Sequence, residues 1–428
     1  MSFKLPKIIK ISELLLYLEL YLLFPYAALG RIGIVVVLLK YSKPMVLLLE
    51  LGFVVLNLVN GTMQIKTDTK SRRTFITAFL IIAFACVQCA ITIIRTHNYN
   101  LAINTLIPFV LMVLIVMRMQ KEKFGILLRI IANFFWFTIF ANTLTILVYG
   151  QGGMYVEHSL ANLHVCYLLG VDNQFGRFLF PGVALIWFYE EYSHSEKKRM
   201  TYSSVFMVLL SYLFLMNGTG SIVVVLFVMM FIAFSTRKFD KYFSFGLFCG
   251  IIVLLLSSIF LQKGIMYSDS DTANMIADTT GKTLTFSGRI YIWAEGVRMF
   301  KIHPLLGYGK QPNDYMVHYL DYYFSAHNVF LHCLLDSGSV GGFFFSLPFI
   351  AAGILSKAVQ KTFREVRILY IGVFVTSVYF MMEVGSLVSM MLMLLIMAVY
   401  SVKADDKFYE WLVEHKLWQV LKRISPIK

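Results

Sequence analysis

The chain has 428 residues, of which 58% are hydrophobic and 14% charged, and its mean hydropathy is +0.72. A soluble domain carries about a quarter charged residues, so a set of two or three soluble domains is excluded despite the length. The formal charge of +14 would point to nucleic acid in a soluble protein; in a chain this apolar it reads as loop lysines and arginines that orient a membrane protein.

Apolar runs of about 17–20 residues recur along the chain, the length that crosses a hydrocarbon core as helix. In lipid every backbone polar group needs an internal partner, so such runs are helical. The first run follows Lys4, Lys7 and Lys10 but contains Glu13 and Glu19 and has no small-residue cleavage site. It reads as an uncleaved first span, not a signal peptide. The predicted spans are 14–39, 44–60, 74–94, 101–117, 125–148, 176–189, 200–216, 221–235, 242–261, 328–356, 368–382 and 386–402. Gly30-Arg31 is a point at which the first could divide into two shorter elements. With both termini inside, the inner segments hold 26 basic residues and the outer ones 9, as the positive-inside rule requires. The expectation is an all-α polytopic membrane protein of about twelve spans. Its catalytic domain covers 1–402, and 403–428 forms a cytoplasmic amphipathic tail.

Two outer segments are long, 149–175 and 262–327. Long loops on a rigid scaffold usually carry function. The larger contains Asp269, Asp271, Asp278, Lys282, Arg289, Arg298 and Asp314. Within it, Ser287 is a good N-cap, and Ile290, Trp293, Val297 and Phe300 recur at helical spacing. That pattern predicts a short amphipathic helix over 288–301, stopped before Pro304. No internal repeat is present.

Several motifs are decoys. Cys86 and Cys89 form CxxC in mid-span, where a thiolate is disfavoured. The five cysteines are scattered and define no disulfide framework. Gly281-Lys282-Thr283 lacks the earlier glycine of a P-loop, since position 276 is Ile276. Asn217-Gly-Thr219 fits a sequon but sits in a tight turn. His327 and His332 are five apart and do not share a helix face, so no metal is expected.

Arg289 stands in the first turn of the predicted helix, where a cation opposes the dipole by roughly 0.3–1 kcal/mol. An anion held between guanidinium and helix N-terminus would reverse that cost; the plain alternative is a membrane-surface arginine. Arg177 stands at the outer edge of a span, after a loop with no other basic residue, and either snorkels or binds an anion. His327 opens a thirty-residue apolar run that breaks at Asp336-Ser-Gly338-Ser-Val-Gly-Gly342. That run is too long for one straight span, so a short dipping helix before a full span is expected. An imidazole there is either structural or a general base.

These residues resemble a known family. Gly288-Arg289 with Trp293, then His303-Pro-Leu-Leu-Gly-Tyr308-Gly309, then His327-Asn328 with Phe330-Leu331, then Asp336 to Gly342, are similar to the shared core of the O-antigen polymerase and ligase superfamily. Phe175-Gly-Arg177 resembles the family's arginine just before a span. The resemblance implies a GT-C-type glycosyltransferase without metal, cofactor or nucleotide sugar. It implies as donor an undecaprenyl-diphosphate-linked oligosaccharide, with the active site on the outer face of the bacterial plasma (inner) membrane. By the same resemblance Arg289 and Arg177 bind the diphosphate and His327 is the base. Asn328 orients, and Arg298, His303 and Tyr308 lie about the substrate; Asp269, Asp271 and His318 are further candidates. Implied partners are membrane lipid, a chain-length regulator and a flippase. The expected function is polysaccharide polymerase, for an O-antigen, capsule or exopolysaccharide. The rivals are a ligase with a different acceptor and a transporter of lipid-linked sugars, which would use Glu50 and Glu383.

Overall fold

The computed structural model describes residues 11–59, 69–119, 123–158, 163–171, 174–215, 218–236, 242–266, 289–311 and 326–404. Asp269, Asp271, Asp278, Lys282, Ser287, Asp314, His318, the turn at Asn217 and the tail beyond Ala404 lie outside the described residues, so their expected roles stand as expectations.

The chain is overwhelmingly helical. Before the loop it forms α1 (Ile11–Leu23), α2 (Gly33–Val59), α3 (Thr69–Thr96), α4 (Tyr99–Met119), α5 (Phe124–Tyr149), α6 (Gly176–Tyr192), α7 (Arg199–Leu215), α8 (Gly218–Ser235) and α9 (Phe245–Met266). After it come α10 (Arg289–Ile302), α11 (Val329–Val359), α12 (Arg364–Phe380) and α13 (Val388–Ala404). Among the described residues, four helices, at 73–96, 99–118, 124–152 and 329–359, are long and apolar enough to cross a membrane, and shorter apolar helices accompany them. Exposed apolar side chains such as Ile34, Leu48, Phe79, Phe206, Leu213 and Ile354 form the outer surface, as expected where lipid is the solvent.

Two expectations need correction. The run 14–39 is not one span. It breaks after Leu23, passes through a 3-10 turn at Ala27–Arg31, and α2 then continues through Lys40, Lys43 and Pro44. The break falls where Gly30-Arg31 interrupts the apolar pattern, and positions 40–43 are helix interior rather than an outer turn. The all-α expectation also missed a small antiparallel sheet in 149–175: β1 (Tyr155–His158), β2 (Leu163–Tyr167) and β3 (Gly170–Val171), in that order. It is anchored by Leu169 N donating to Asn142 Oδ1 of α5 at 3.1 Å and by Ala28 N donating to the Leu168 carbonyl. Strands this short carry too few alternations to register in a pattern search.

The packing centre is α6 and α13, which are buried almost all round. Phe180, Trp187 and Phe188 of α6 pack against rings from α8, α12 and α13.

At one edge, α1, α2 and α4 meet in a buried charge triad. Arg118 of α4 donates to Glu19 of α1 at 2.7 Å and to Glu50 of α2. Both carboxyl groups are almost fully buried. This engagement accounts for Glu50, which a transporter would have used. Removing one member of a buried ion pair strands the others and costs about 3–5 kcal/mol. Arg118→Leu is therefore expected to lower the thermal midpoint in detergent markedly; an unchanged midpoint would show that the triad holds nothing together.

Candidate active site

The ends of α3, α9 and α12 and the beginnings of α6, α11 and α13 converge on one face. On the opposite face, Glu190 closing α6 accepts from the backbone of Met200 and Thr201, and Arg364 opening α12 reaches Glu191 and the Phe234 carbonyl. The two faces separate the same two sets of connections that the distribution of lysine and arginine separates.

α11 is two helices in one run. Gly338 has φ 62° and ψ −165°, which breaks the ladder after a first short helix. This is the dip expected from the length of the apolar segment. A break leaves carbonyls and N–H groups without helical partners, and here the segment His303–Gly309 supplies them. Tyr308 N donates to the Leu335 carbonyl and Gly309 N to that of Asp336, both at 2.8 Å. Ser339 N donates to the Pro304 carbonyl at 2.8 Å, and Val340 N to that of Leu305 at 3.2 Å. Two motifs far apart in the chain are thus one hydrogen-bonded unit. Glycine is required on both sides of the crossing. A Cβ on Gly338 would lie 2.1 Å from the Leu305 carbonyl oxygen, and one on Gly307 would lie 2.4 Å from that of Leu335. Both residues have positive φ. Gly338→Ala is expected to destabilise by about 2–5 kcal/mol, combining left-handed strain with overpacking. A thermal midpoint equal to wild type would refute this account of the crossing.

α10 spans Arg289–Ile302, one residue from the expected bounds. Trp293, Val297 and Phe300 pack with Leu331 and Leu335 of α11, so the amphipathic stripe faces the dipping helix. Arg289 is its first residue. Arg298 lies on the far, exposed side with both arms of its fork on Glu295, at 2.8 and 2.5 Å. These bonds hold the Glu295 carboxyl below its usual range and the Arg298 guanidinium above its own. Tyr308 donates its hydroxyl to the Met299 carbonyl at 3.0 Å, and His303 sits edge-on against the Tyr308 ring at 4.7 Å. These side-chain contacts of Arg298, His303 and Tyr308 lie within α10 and the loop that follows it.

His327 precedes α11 with φ 44°. A non-glycine residue in the left-handed region costs on the order of 1–3 kcal/mol and persists only where its surroundings enforce it. Asn328 is the N-cap: its Oδ1 accepts from Phe330 N and Leu331 N at 3.0 and 2.9 Å. His327 Nδ1 lies 3.2 Å from Oε2 of Glu383, whose side chain is 7% exposed, whereas that of His327 is 29% exposed. The imidazole thus has one nitrogen against a buried carboxylate and remains accessible itself.

Arg177 reaches the same place from α6. Its aliphatic stem lies against Gly385, and its backbone carbonyl accepts from Ser389 Oγ at 2.7 Å. Its fork donates to Gln174 Oε1 at 3.1 Å, and its Nε is buried without a hydrogen-bond partner among the described residues. Tyr379 stands within electrostatic reach of both Arg177 and Glu383. The segment 381–389 between α12 and α13 is therefore shared by His327 and Arg177. Glu383 was missed as a site residue. The sequence singled it out only as an acid that a transporter would use, with nothing to pair it with a histidine 56 positions earlier.

A base held by a carboxylate, beside an arginine with a buried unfilled donor, can take a proton from a hydroxyl and stabilise an anionic leaving group. No curated protein and no solved structure matches the chain. Residues 205–346 match the O-antigen ligase family, Wzy_C. The match runs from α7 into the second half of α11 and includes Arg289, the His303–Gly309 segment, His327 and the Gly338 break. The match over residues 205–346 supports a place for the chain in the O-antigen ligase and polymerase superfamily.

Proposed function

We propose that the protein is a polysaccharide polymerase of the bacterial plasma membrane. It transfers a glycan from undecaprenyl diphosphate to the non-reducing sugar of another lipid-linked repeat unit. The O-antigen ligase domain supports a glycosyltransferase acting on a lipid-linked oligosaccharide. The observation that carries the reading is the His327–Glu383 pair, with Arg177 on the same 381–389 segment.

The acceptor hydroxyl attacks the anomeric carbon of the donor sugar as the bond from that carbon to the diphosphate oxygen breaks. The hydroxyl proton passes to Nε2 of His327, while Nδ1–H stays on the Glu383 carboxylate and fixes the tautomer. The departing diphosphate gains negative charge, and Arg177 and Arg289 stabilise it. A chain-length regulator and a flippase would be its partners, with the site on the outer face, where the lipid-linked donor is displayed.

The family description favours one second reading, a ligase that gives the glycan to a different acceptor. Purified protein mixed with undecaprenyl-diphosphate repeat units and no nucleotide sugar is expected to yield a product ladder in steps of one repeat. Transfer only to an added foreign acceptor would establish the ligase. Movement of repeats across a vesicle membrane without extension would establish a transporter.

A further inference from the structure

His327 and Glu383 belong to segments that nothing in the chain order joins. The imidazole precedes α11, and the carboxylate follows α12. Asn328 connects them. While its Oδ1 caps α11, its Nδ2 donates to Ser258 Oγ of α9 at 2.9 Å and to the Met381 carbonyl at 3.4 Å. Met381 lies two residues before Glu383. Asn328 is fully buried and Ser258 is 3% exposed. The Ser258 hydroxyl donates in turn to the Leu255 carbonyl at 2.7 Å, so its lone pairs face the asparagine amide. One side chain therefore sets the backbone turn that presents the imidazole and fixes the start of the segment that presents the carboxylate, braced against a third helix.

We propose that Asn328 and Ser258 are positioning residues that hold Glu383 against His327, an inference that rests on the base assignment above. Capping alone does not explain the arrangement. A serine caps a helix as well as an asparagine does, yet it is too short to reach Ser258 and Met381. The amide is the part that spans the gap, and Ser258 is what orients it. The Arg177 contacts to Gly385 and Ser389 fix the far end of the same segment, so its near end is the one Asn328 controls.

Asn328→Ser retains the cap and removes the bridge, Ser258→Ala removes the brace, and Ser258→Thr keeps the hydroxyl. Each is assayed in detergent for release of undecaprenyl diphosphate from lipid-linked repeat units, with His327→Ala alongside. For Asn328→Ser and Ser258→Ala, kcat is expected to fall about 10-fold to 10²-fold, the scale of a small misplacement of reacting groups, with KM for the donor unchanged. Ser258→Thr should restore kcat. Wild-type kcat in the folded Asn328→Ser and Ser258→Ala proteins, or loss of yield alone, would overturn the positioning role while leaving the base in place. An active His327→Ala would instead remove the base assignment, and this inference with it.

Discussion

Replacing His327 by alanine is expected to lower turnover by about 10²–10⁴-fold, the usual contribution of a positioned general base, while protein yield and donor binding persist. The side chain is partly exposed and, among the described residues, its one polar contact is Glu383, so its removal leaves no large cavity. Glu383→Gln should cost less, about 10–10²-fold. The shape survives, but an amide can turn either its N–H₂ or its oxygen to Nδ1 and so no longer dictates the tautomer. The two residues act as a unit, so the double variant should be no slower than His327→Ala alone. The readout is the rate of diphosphate-lipid release at saturating donor. Wild-type turnover in His327→Ala would sink the base assignment. Losses that multiply in the double variant would mean that Glu383 acts by another route.

Removing Arg177 is expected to cost about 10²–10³-fold in kcat, the loss typical of one donor to a developing oxyanion. The unfilled Nε is the reason to expect a transition-state effect rather than a packing effect. A buried guanidinium nitrogen without a partner is costly, and an anionic leaving group would complete it. Arg177→Lys should recover only part of the rate, because an ammonium is a point charge and not a planar fork. Arg289 at the head of α10 is expected to behave the same way, with alanine worse than lysine. Since Ser389 binds the Arg177 carbonyl and not its side chain, the helix junction should survive both substitutions. Full activity in the alanine variants of both arginines would dismiss the diphosphate clamp.

Much of the site was legible residue by residue. Arg177 at the start of an apolar helix, the stripe of Trp293, Val297 and Phe300 on α10, and the break at Gly338 in an over-long apolar run each follow from local patterns, and each appears in the structure. What joins them was not legible. Glu383 is an unremarkable acid in an outer turn until α12 and α13 bring it to Nδ1 of His327. Asn328 reads as a neighbour of the histidine and turns out to bind α9 and the Met381 carbonyl. The side chains of Arg298, His303 and Tyr308, near the motif block, make contacts within α10 and its loop that the sequence did not foretell. Backbone bonds between His303–Gly309 and the α11 break leave no residue-type signature beyond the glycines that permit them.

Hydropathy sufficed to make this chain a bundle of apolar helices, to separate its connections into a more basic and a less basic set, and to mark one long connection as unusual, because desolvating the backbone leaves helix as the solution for each apolar run taken alone. It did not determine which helices lie at the centre. Lipid tails are as apolar as leucine, so α6 and α13, buried nearly all round, look in sequence like α2 and α3, whose outer faces are exposed. Only packing, through ring contacts, close backbone approaches and a few buried polar bonds, decided that order, and the site exists because that order brings six helix ends to one face.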